Sequence, residues 1–334
     1  MMKTVLKVLL GFVVLIVVVV IAVFGMRLYN TQKYDLSGGM PDYHDLSDYP
    51  DSFEGGTIEY FETGEAAGFH LLPDAPVGTE TIAIFGGSEG SSNFDMALQL
   101  AEEGYEVYSL FFFGAPNQNE ELAQVPLEFF GDFLEHAELG GKEVTVIGAS
   151  KGAELGLVLT NYYDEISNLV LYAPSSYVFQ GLSFGREAHS SWTWNGEDLP
   201  YISLQQSDFG AFARTIFDSI VLNPVKYRET YVSAVEMNGN SEEKRVDTSN
   251  FDGNALLIAG GDDAMWQSEV AAEEIGEALG DRAEVDIYPK AGHLFGVPAA
   301  VGGLAVGGTL EANETAEEES GRKLMQFLET NITD

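Results

Sequence analysis

The sequence predicts an α/β fold: a three-layer sandwich around a mostly parallel sheet, with an inserted cap and one apolar helix in front. Three observations carry that expectation. From about residue 80 onward, short and continuously apolar runs alternate with amphipathic ones. A serine flanked by small residues, "GASKG", stands between an apolar run and a helical run. Near the start, "MMKTVLKVLLGFVVLIVVVVIAVFGMRLYN" holds 19 uncharged residues, 8–26.

The N-terminal run matches the ~20 residues that a helix needs to cross a bilayer. A cleaved signal peptide would show an apolar region of roughly 7–15 residues and a small-x-small site; "IAVFGM" is a poor one. The expectation is an uncleaved signal anchor over residues 1–28. Lys3 and Lys7 lie on one side of it, Arg27 and Lys33 on the other. The expected orientation has the N-terminus inside and the rest of the chain outside. Residues 29–55, including "QKYDLSGGMPDYHDLSDYPDSFEGG", read as a tether with turns that lifts the domain off the membrane.

The globular domain is expected over residues 56–334. "GTIEYF" and "GFHLLP" suggest an antiparallel hairpin at a sheet edge. Strands are expected at "ETIAIFGG", "EVYSLFFFG", "KEVTVIGAS", "SNLVLYAPSS", "NALLIAGGDD" and "AEVDIYP". Helices are expected at "SNFDMALQLAEEGY", "PLEFFGDFLEHAEL" with Pro126 near its start, "KGAELGLVLTNYY", "SEVAAEEIGEALG" and "ETAEEESGRKLMQFLE". Buried strands in alternation with helices imply a parallel sheet covered on both faces by right-handed crossovers. Between about residues 176 and 252 the alternation lapses into aromatics and glycines, with one helical stretch near "FGAFARTIFDSI". A cap over the carboxyl end of the sheet accounts for it.

Composition narrows the function. With 53 acidic and 16 basic side chains, the net charge of −37 speaks against nucleic acid and against anionic lipid as partners. Cysteine is absent, so disulfides, thiolate metal sites and a cysteine nucleophile are excluded. No cofactor or metal is expected.

"GASKG" supplies a G-x-S-x-G pattern at Ser150 between strand and helix. In such an elbow a strained turn lifts the hydroxyl to the sheet's edge, and the helix N-terminus below it favours a developing oxyanion. Of the histidines, His44, His70, His136 and His189 sit in the tether, the edge hairpin, a helix and the cap, and read as structural or solvated. His293, in "YPKAGHLFGVP", follows the last strand on a glycine-rich loop and is the candidate base. "GGDDAMW" offers Asp262 and Asp263 as the acid. The G-x-x-D spacing favours Asp263, leaving Asp262 to point elsewhere. The candidate oxyanion donors are the amide of Lys151 and that of Gly87 or Ser88 in "GGSEGS". No lysine follows that loop in the spacing of a phosphate-binding loop.

Together, "GGSEGS", "LFFFGAP", "PLEFFGDFLE", "IGASKGAELGL", "GGDDAMWQSE", "YPKAGHLFGVP" and "GGTLEANETAEEESGRKLMQFL" resemble one family. It is the C-terminal catalytic domain shared by acyl-CoA thioesterases and bile acid-CoA:amino acid N-acyltransferases, within the α/β-hydrolases and related to dienelactone hydrolases. The resemblance spans roughly residues 82–328, interrupted by the cap. It implies Ser150 as nucleophile, Asp263 as acid and His293 as base. Two departures stand out. The animal enzymes carry an N-terminal β-sandwich where a membrane segment and tether are expected here. The amino-acid-conjugating members use cysteine where this chain has Ser150, so the implied chemistry is hydrolysis rather than amidation.

Coenzyme A would bring several phosphates to a chain poor in cations. Lys151 is one candidate contact, against the alternative of a helix-start lysine pointing to solvent. The expected function is a membrane-anchored serine hydrolase of acyl thioesters or esters. The alternatives are an exported carboxylesterase, lipase-like enzyme or peptidase, and a non-catalytic binding protein on the same scaffold.

Overall fold

The computed structural model describes residues 2–34, 41–183 and 187–332. Residue 1, residues 35–40 of the expected tether, 184–186 of the expected cap and 333–334 lie outside the described residues.

The chain opens with α1 (Met2–Tyr34), a single helix of 33 residues. It continues past the expected boundary at residue 28 because nothing from Arg27 to Tyr34 breaks a helix. Residues 4–22 are exposed all round, whereas Val23, Met26, Asn30 and Tyr34, on one face, are covered to varying extents. The segment after residue 40 corrects the expectation of a free tether. The Tyr49 ring lies 4.4 Å from that of Phe69 and 4.8 Å from that of Phe94, and the His44 ring lies 4.8 Å from Phe111. These aromatics bury apolar surface on the domain, which holds the segment down rather than lifting the domain away.

Strand β1 (Ser52–Phe53) pairs with β2 (Gly56–Thr63), which forms the expected hairpin with β3 (Ala66–Pro73). Then β4 (Thr81–Phe85), α2 (Phe94–Glu102), β5 (Val107–Phe111), the short β6 (Val125–Pro126) and α3 (Phe129–His136) follow. Pro126 thus sits in a strand, not at the start of α3. Next come β7 (Val144–Ala149), α4 (Lys151–Leu159) and β8 (Ile166–Tyr172). After the cap, β11 (Asn254–Gly260), α7 (Ser268–Leu279), β12 (Ala283–Tyr288) and α8 (Leu310–Ile332) complete the layers.

These strands form one 9-stranded sheet in the order β1-β2-β3-β5-β4-β7-β8-β11-β12. From β5 to β12 every pairing is parallel, and β1 to β3 add an antiparallel edge. One apolar cluster joins the sheet to α3, α4 and α7; a second joins its other face to α2 and α8. The chain leaves β4 toward β5 and returns to β7 on the other side. That reversal opens a crevice at the carboxyl ends of β4 and β7, where ligands bind in such sheets.

The cap holds β9 (Trp192–Trp194), β10 (Glu197–Asp198), α5 (Phe209–Val221) and α6 (Arg228–Met237). β6 pairs with β9, so the cap is tied to the main domain by a strand from outside it. Its own core gathers Tyr177, Phe179, Ile202, Tyr231 and Ala234 around Trp266. Past β12, β13 (Ala300–Val301) and β14 (Leu304–Ala305) form a small hairpin.

Candidate active site

Ser150 stands between β7 and α4 with φ 54° and ψ −114°. A non-glycine residue there is strained, and the surroundings hold it in place. Its amide donates to the Tyr172 carbonyl at 2.8 Å, and its carbonyl accepts from the amides of Ala153 and Glu154, both at 3.0 Å. The flanking glycines are sterically required. A Cβ on Gly148 would lie 2.2 Å from the Gly152 carbonyl oxygen, and one on Gly152 would lie 2.1 Å from that of Gly86.

His293 Nε2 lies 2.8 Å from Ser150 Oγ, and His293 Nδ1 lies 2.8 Å from Asp263 Oδ2. The His293 backbone amide donates to the Val306 carbonyl. Asp263 is almost wholly buried and saturated with donors. Oδ1 accepts from the amides of Met265 (2.7 Å) and Trp266 (3.2 Å), and Oδ2 also accepts from Ser268 Oγ (2.5 Å). Arg228 donates to the carbonyls of Asp263 and Trp266, each at 3.0 Å, and pairs with Glu269. The carboxylate is therefore fixed both by its own hydrogen bonds and by its loop. Asp262 turns away, its carboxylate accepting from the Gly308 amide at 3.2 Å. The Trp266 ring stands edge-on to His293, centroids 5.6 Å apart.

The other histidines are engaged elsewhere. His44 Nε2 lies 3.3 Å from the Phe113 carbonyl, His70 meets Glu106, His136 stacks on Phe61, and His189 meets Asp198.

Lys151 opens α4, so its amide belongs to the turn whose N–H groups have no acceptor within the helix. Gly87 lies beside the nucleophile: a Cβ on it would be 3.4 Å from Ser150 Cβ. Its amide donates to Glu89 Oε1 at 3.0 Å, and that same oxygen accepts from Ser91 Oγ at 2.5 Å. A carboxylate thus holds one of the two expected oxyanion donors. Ser88 is exposed on the same loop.

The Lys151 side chain corrects both sequence-based expectations for it. It is 2% exposed, so it neither points to solvent nor reaches a phosphate. Its Nζ donates to both oxygens of Glu154, at 3.0 and 2.8 Å, and to Ser191 Oγ at 2.8 Å. Glu154 Oε1 accepts in turn from the Phe179 amide (3.1 Å) and Trp192 Nε1 (2.8 Å). Burial pushes the Lys151 ammonium below, and the Glu154 carboxyl above, its ordinary range; their mutual attraction opposes both shifts. This pair bolts the cap to the elbow helix. Sequence reasoning missed it because its partners lie up to 40 residues away. Ser268, the serine that closes the "DDAMWQS" stretch, had no role assigned from the sequence, nor had Asn313, whose Oδ1 accepts from the Gly292 amide at 2.8 Å.

A parallel, doubly covered sheet with a serine on a strained strand–helix turn, facing a histidine after the last strand, defines the α/β-hydrolase class. The chain belongs to the family described as "BAAT / Acyl-CoA thioester hydrolase C terminal", whose pattern matches residues 125–334. It is 26% identical over 293 residues to human acyl-coenzyme A thioesterase 6, an alignment covering 80% of this chain and 63% of that protein. It is also 26% identical over 270 residues to mouse acyl-coenzyme A amino acid N-acyltransferase 1, covering 75% and 59%. The chain thus spans about six tenths of these relatives. Among solved structures, Pyrococcus horikoshii acylaminoacyl peptidase shares the fold, with a TM-score of 0.54 and 12% identity over 88% of this chain and 44% of that one.

Proposed function

We propose that the chain is a membrane-anchored serine hydrolase that cleaves acyl thioesters or esters through Ser150, His293 and Asp263 by way of an acyl-enzyme. The observation that carries this reading is the unbroken hydrogen-bond line from Ser150 Oγ through His293 to Asp263 Oδ2, 2.8 Å at each step. In this reading Nε2 takes the serine proton as Oγ attacks the acyl carbon. It then returns the proton to the leaving thiol or alcohol. Asp263 holds the tautomer with hydrogen on Nδ1 and stabilises the imidazolium. Water then repeats the attack on the acyl-enzyme.

The oxyanion is assigned to the amides of Lys151 and Gly87, with Ser88 as the alternative to Gly87 on that loop. Glu89 must release the Gly87 amide as substrate enters, since its negative charge occupies the direction from which an oxyanion would accept. In the domain arrangement proposed here, residues 1–28 are the anchor, 29–55 the connecting segment and 56–334 the hydrolase domain, with the cap at 176–252. The anchor is supported by α1, which is long and apolar enough to cross a membrane. The domain is assigned to the outer side on the strength of Lys3 and Lys7.

One observation favours simple esters or lipid-borne acyl groups over coenzyme A as leaving groups. The cation nearest the nucleophile in sequence, Lys151, is consumed by Glu154, in a chain of net charge −37. Full-length protein should be compared on matched acyl chains presented as coenzyme A thioesters and as p-nitrophenyl esters, with Ser150→Ala as the blank. The expected result is a Ser150-dependent burst on both and a higher kcat/KM on the esters. A clear preference for coenzyme A would return the substrate named for the thioesterase relatives and count against the outward topology.

A further inference from the structure

The cap helix α5 is built inside out. Its buried positions are Ala211, Thr215, Asp218 and Val221, which are small or polar apart from the last. Its large apolar side chains face outward: Phe209 is 82% exposed, and Phe212, Ile216, Phe217 and Ile220 are each 47–49% exposed. They recur at helical spacing, so one continuous stripe of aromatic and branched side chains faces away from the protein. A stripe of this kind on a monomer marks an interaction surface rather than ordinary scatter.

The place of this stripe in the molecule says what covers it. Asn30, near the end of α1, is buried and donates from Nδ2 to the Val221 carbonyl, the last residue of α5, at 2.9 Å. The contact comes one turn after the uncharged run 8–26 ends at Arg27. α5 is therefore docked where α1 would leave the bilayer. Charge agrees with that position. From Phe209 to Tyr227 the only acidic residue is Asp218, which is buried and paired with Arg214, and Lys226 is the one further charge; Asp208 and Arg228, the latter paired with Glu269, flank the stretch. This is a near-neutral strip on a strongly acidic chain, and it suits a lipid surface.

We propose that α5 lies in the interfacial layer of the membrane that α1 crosses, with Phe209, Phe212, Ile216, Phe217 and Ile220 immersed among lipid acyl chains. The inference rests on the anchor reading above and adds the orientation of the catalytic domain. The consequence for function follows from the chain path. Beyond α5, Val225 exchanges backbone hydrogen bonds with Gly303 and Ala305 of the β13–β14 turn, and the next residue, Val306, accepts from the His293 amide. The immersed helix and the histidine loop are thus coupled through consecutive backbone contacts. An acyl ester dissolved in the bilayer would then meet the cap directly from the lipid phase.

The chain has no native cysteine, so single-cysteine variants carrying a nitrobenzoxadiazole label test this cleanly. Full-length Phe212→Cys and Ile216→Cys would be reconstituted in phosphatidylcholine vesicles with or without doxyl-labelled lipid. Val13→Cys, within α1, and Glu273→Cys, exposed on α7, serve as references. The expected result is quenching of both α5 labels by shallow doxyl lipid, at least roughly twofold above the Glu273 label, as for a helix buried ~5–10 Å into the interface. Quenching of the Val13 label alone, with both α5 labels matching Glu273, would overturn the proposal while sparing the anchor. An unquenched Val13 label would instead strike the anchor itself and remove the membrane in which α5 is placed. Labels at 212 and 216 that are shielded from aqueous iodide yet untouched by doxyl lipid would show a second copy covering the stripe, and would also overturn it.

Discussion

At the scale of single residues, the site separates two neighbouring carboxylates by what each one touches. Asp263 faces His293 and accepts from two backbone amides and Ser268, whereas the Asp262 carboxylate accepts from the Gly308 amide and turns away from His293. Asp263→Asn should therefore lower kcat by roughly 10⁴ through the wrong imidazole tautomer, while Asp262→Asn should leave kcat within a few-fold. Steady-state kinetics on a p-nitrophenyl ester decides, and reversed results would move the acid to Asp262. Glu89 carries a second expectation. If its carboxylate competes for the Gly87 amide, Glu89→Ala should raise kcat/KM roughly threefold or more, the worth of one freed hydrogen bond. A fall in kcat/KM would give Glu89 a constructive part in turnover instead. The buried pair gives a third. Glu154→Leu strands the Lys151 ammonium in a desolvated site and should cost about 3–5 kcal/mol. Lys151→Met combined with Glu154→Leu should recover most of that loss in denaturant unfolding. An additive double variant would mean that the two residues do not act as a pair.

At the scale of elements, the turn from β7 into α4 and the helix α5 show what local sequence can and cannot reveal. The elbow was legible in "TVIGASKGAELGL" because every requirement is local: an apolar strand, small residues where backbones meet, and a helix that starts at once. Gly152→Ala tests the steric part. A methyl 2.1 Å from the Gly86 carbonyl oxygen would force strand and helix apart, so a clear loss of thermal stability is expected together with lost activity. Unchanged stability would mean that the elbow tolerates a wider separation. The periodicity of α5 was legible too, but not its direction. An apolar stripe on a helix reads as core-facing, and only the packed structure turns Ala211, Thr215 and Asp218 inward. The long end of α1 and the docked aromatics Tyr43, Tyr49 and Phe53 escaped for a similar reason. Asp, Gly and Pro around them marked a turn-rich linker, while the surface that receives them comes from β3 and α2.

At the scale of the whole molecule, the handedness of the crossovers follows from rules of connection that the alternating pattern already invokes, whereas the strand order, with β4 between β5 and β7, does not. The parallel sheet, the edge hairpin and the inserted cap were readable before any coordinate. The candidate site residues Ser150, Asp263 and His293 were readable as a chain order. Their hydrogen-bonded geometry was not, since contacts between residues 143 and 30 positions apart depend on how the crossovers pack. Least legible was the net of Lys151, Glu154, Ser191 and Trp192 that locks cap to elbow. It joins two segments with no shared pattern, and its charges looked like ordinary helix-surface residues. The acidic balance of the chain, by contrast, constrains the substrate at every scale. In the function proposed above, a polyanionic leaving group would be repelled from afar and would find Lys151 paired with Glu154.

The most direct measurement is the site of covalent capture. Full-length protein is treated with a fluorophosphonate and mapped by peptide mass, with Ser150→Ala and His293→Ala as companions. One adduct is expected, on Ser150, lost in the first variant and slowed by orders of magnitude in the second. Folded protein that forms no adduct, or forms it on another serine, would contradict the assignment of Ser150, His293 and Asp263 as a hydrolytic centre.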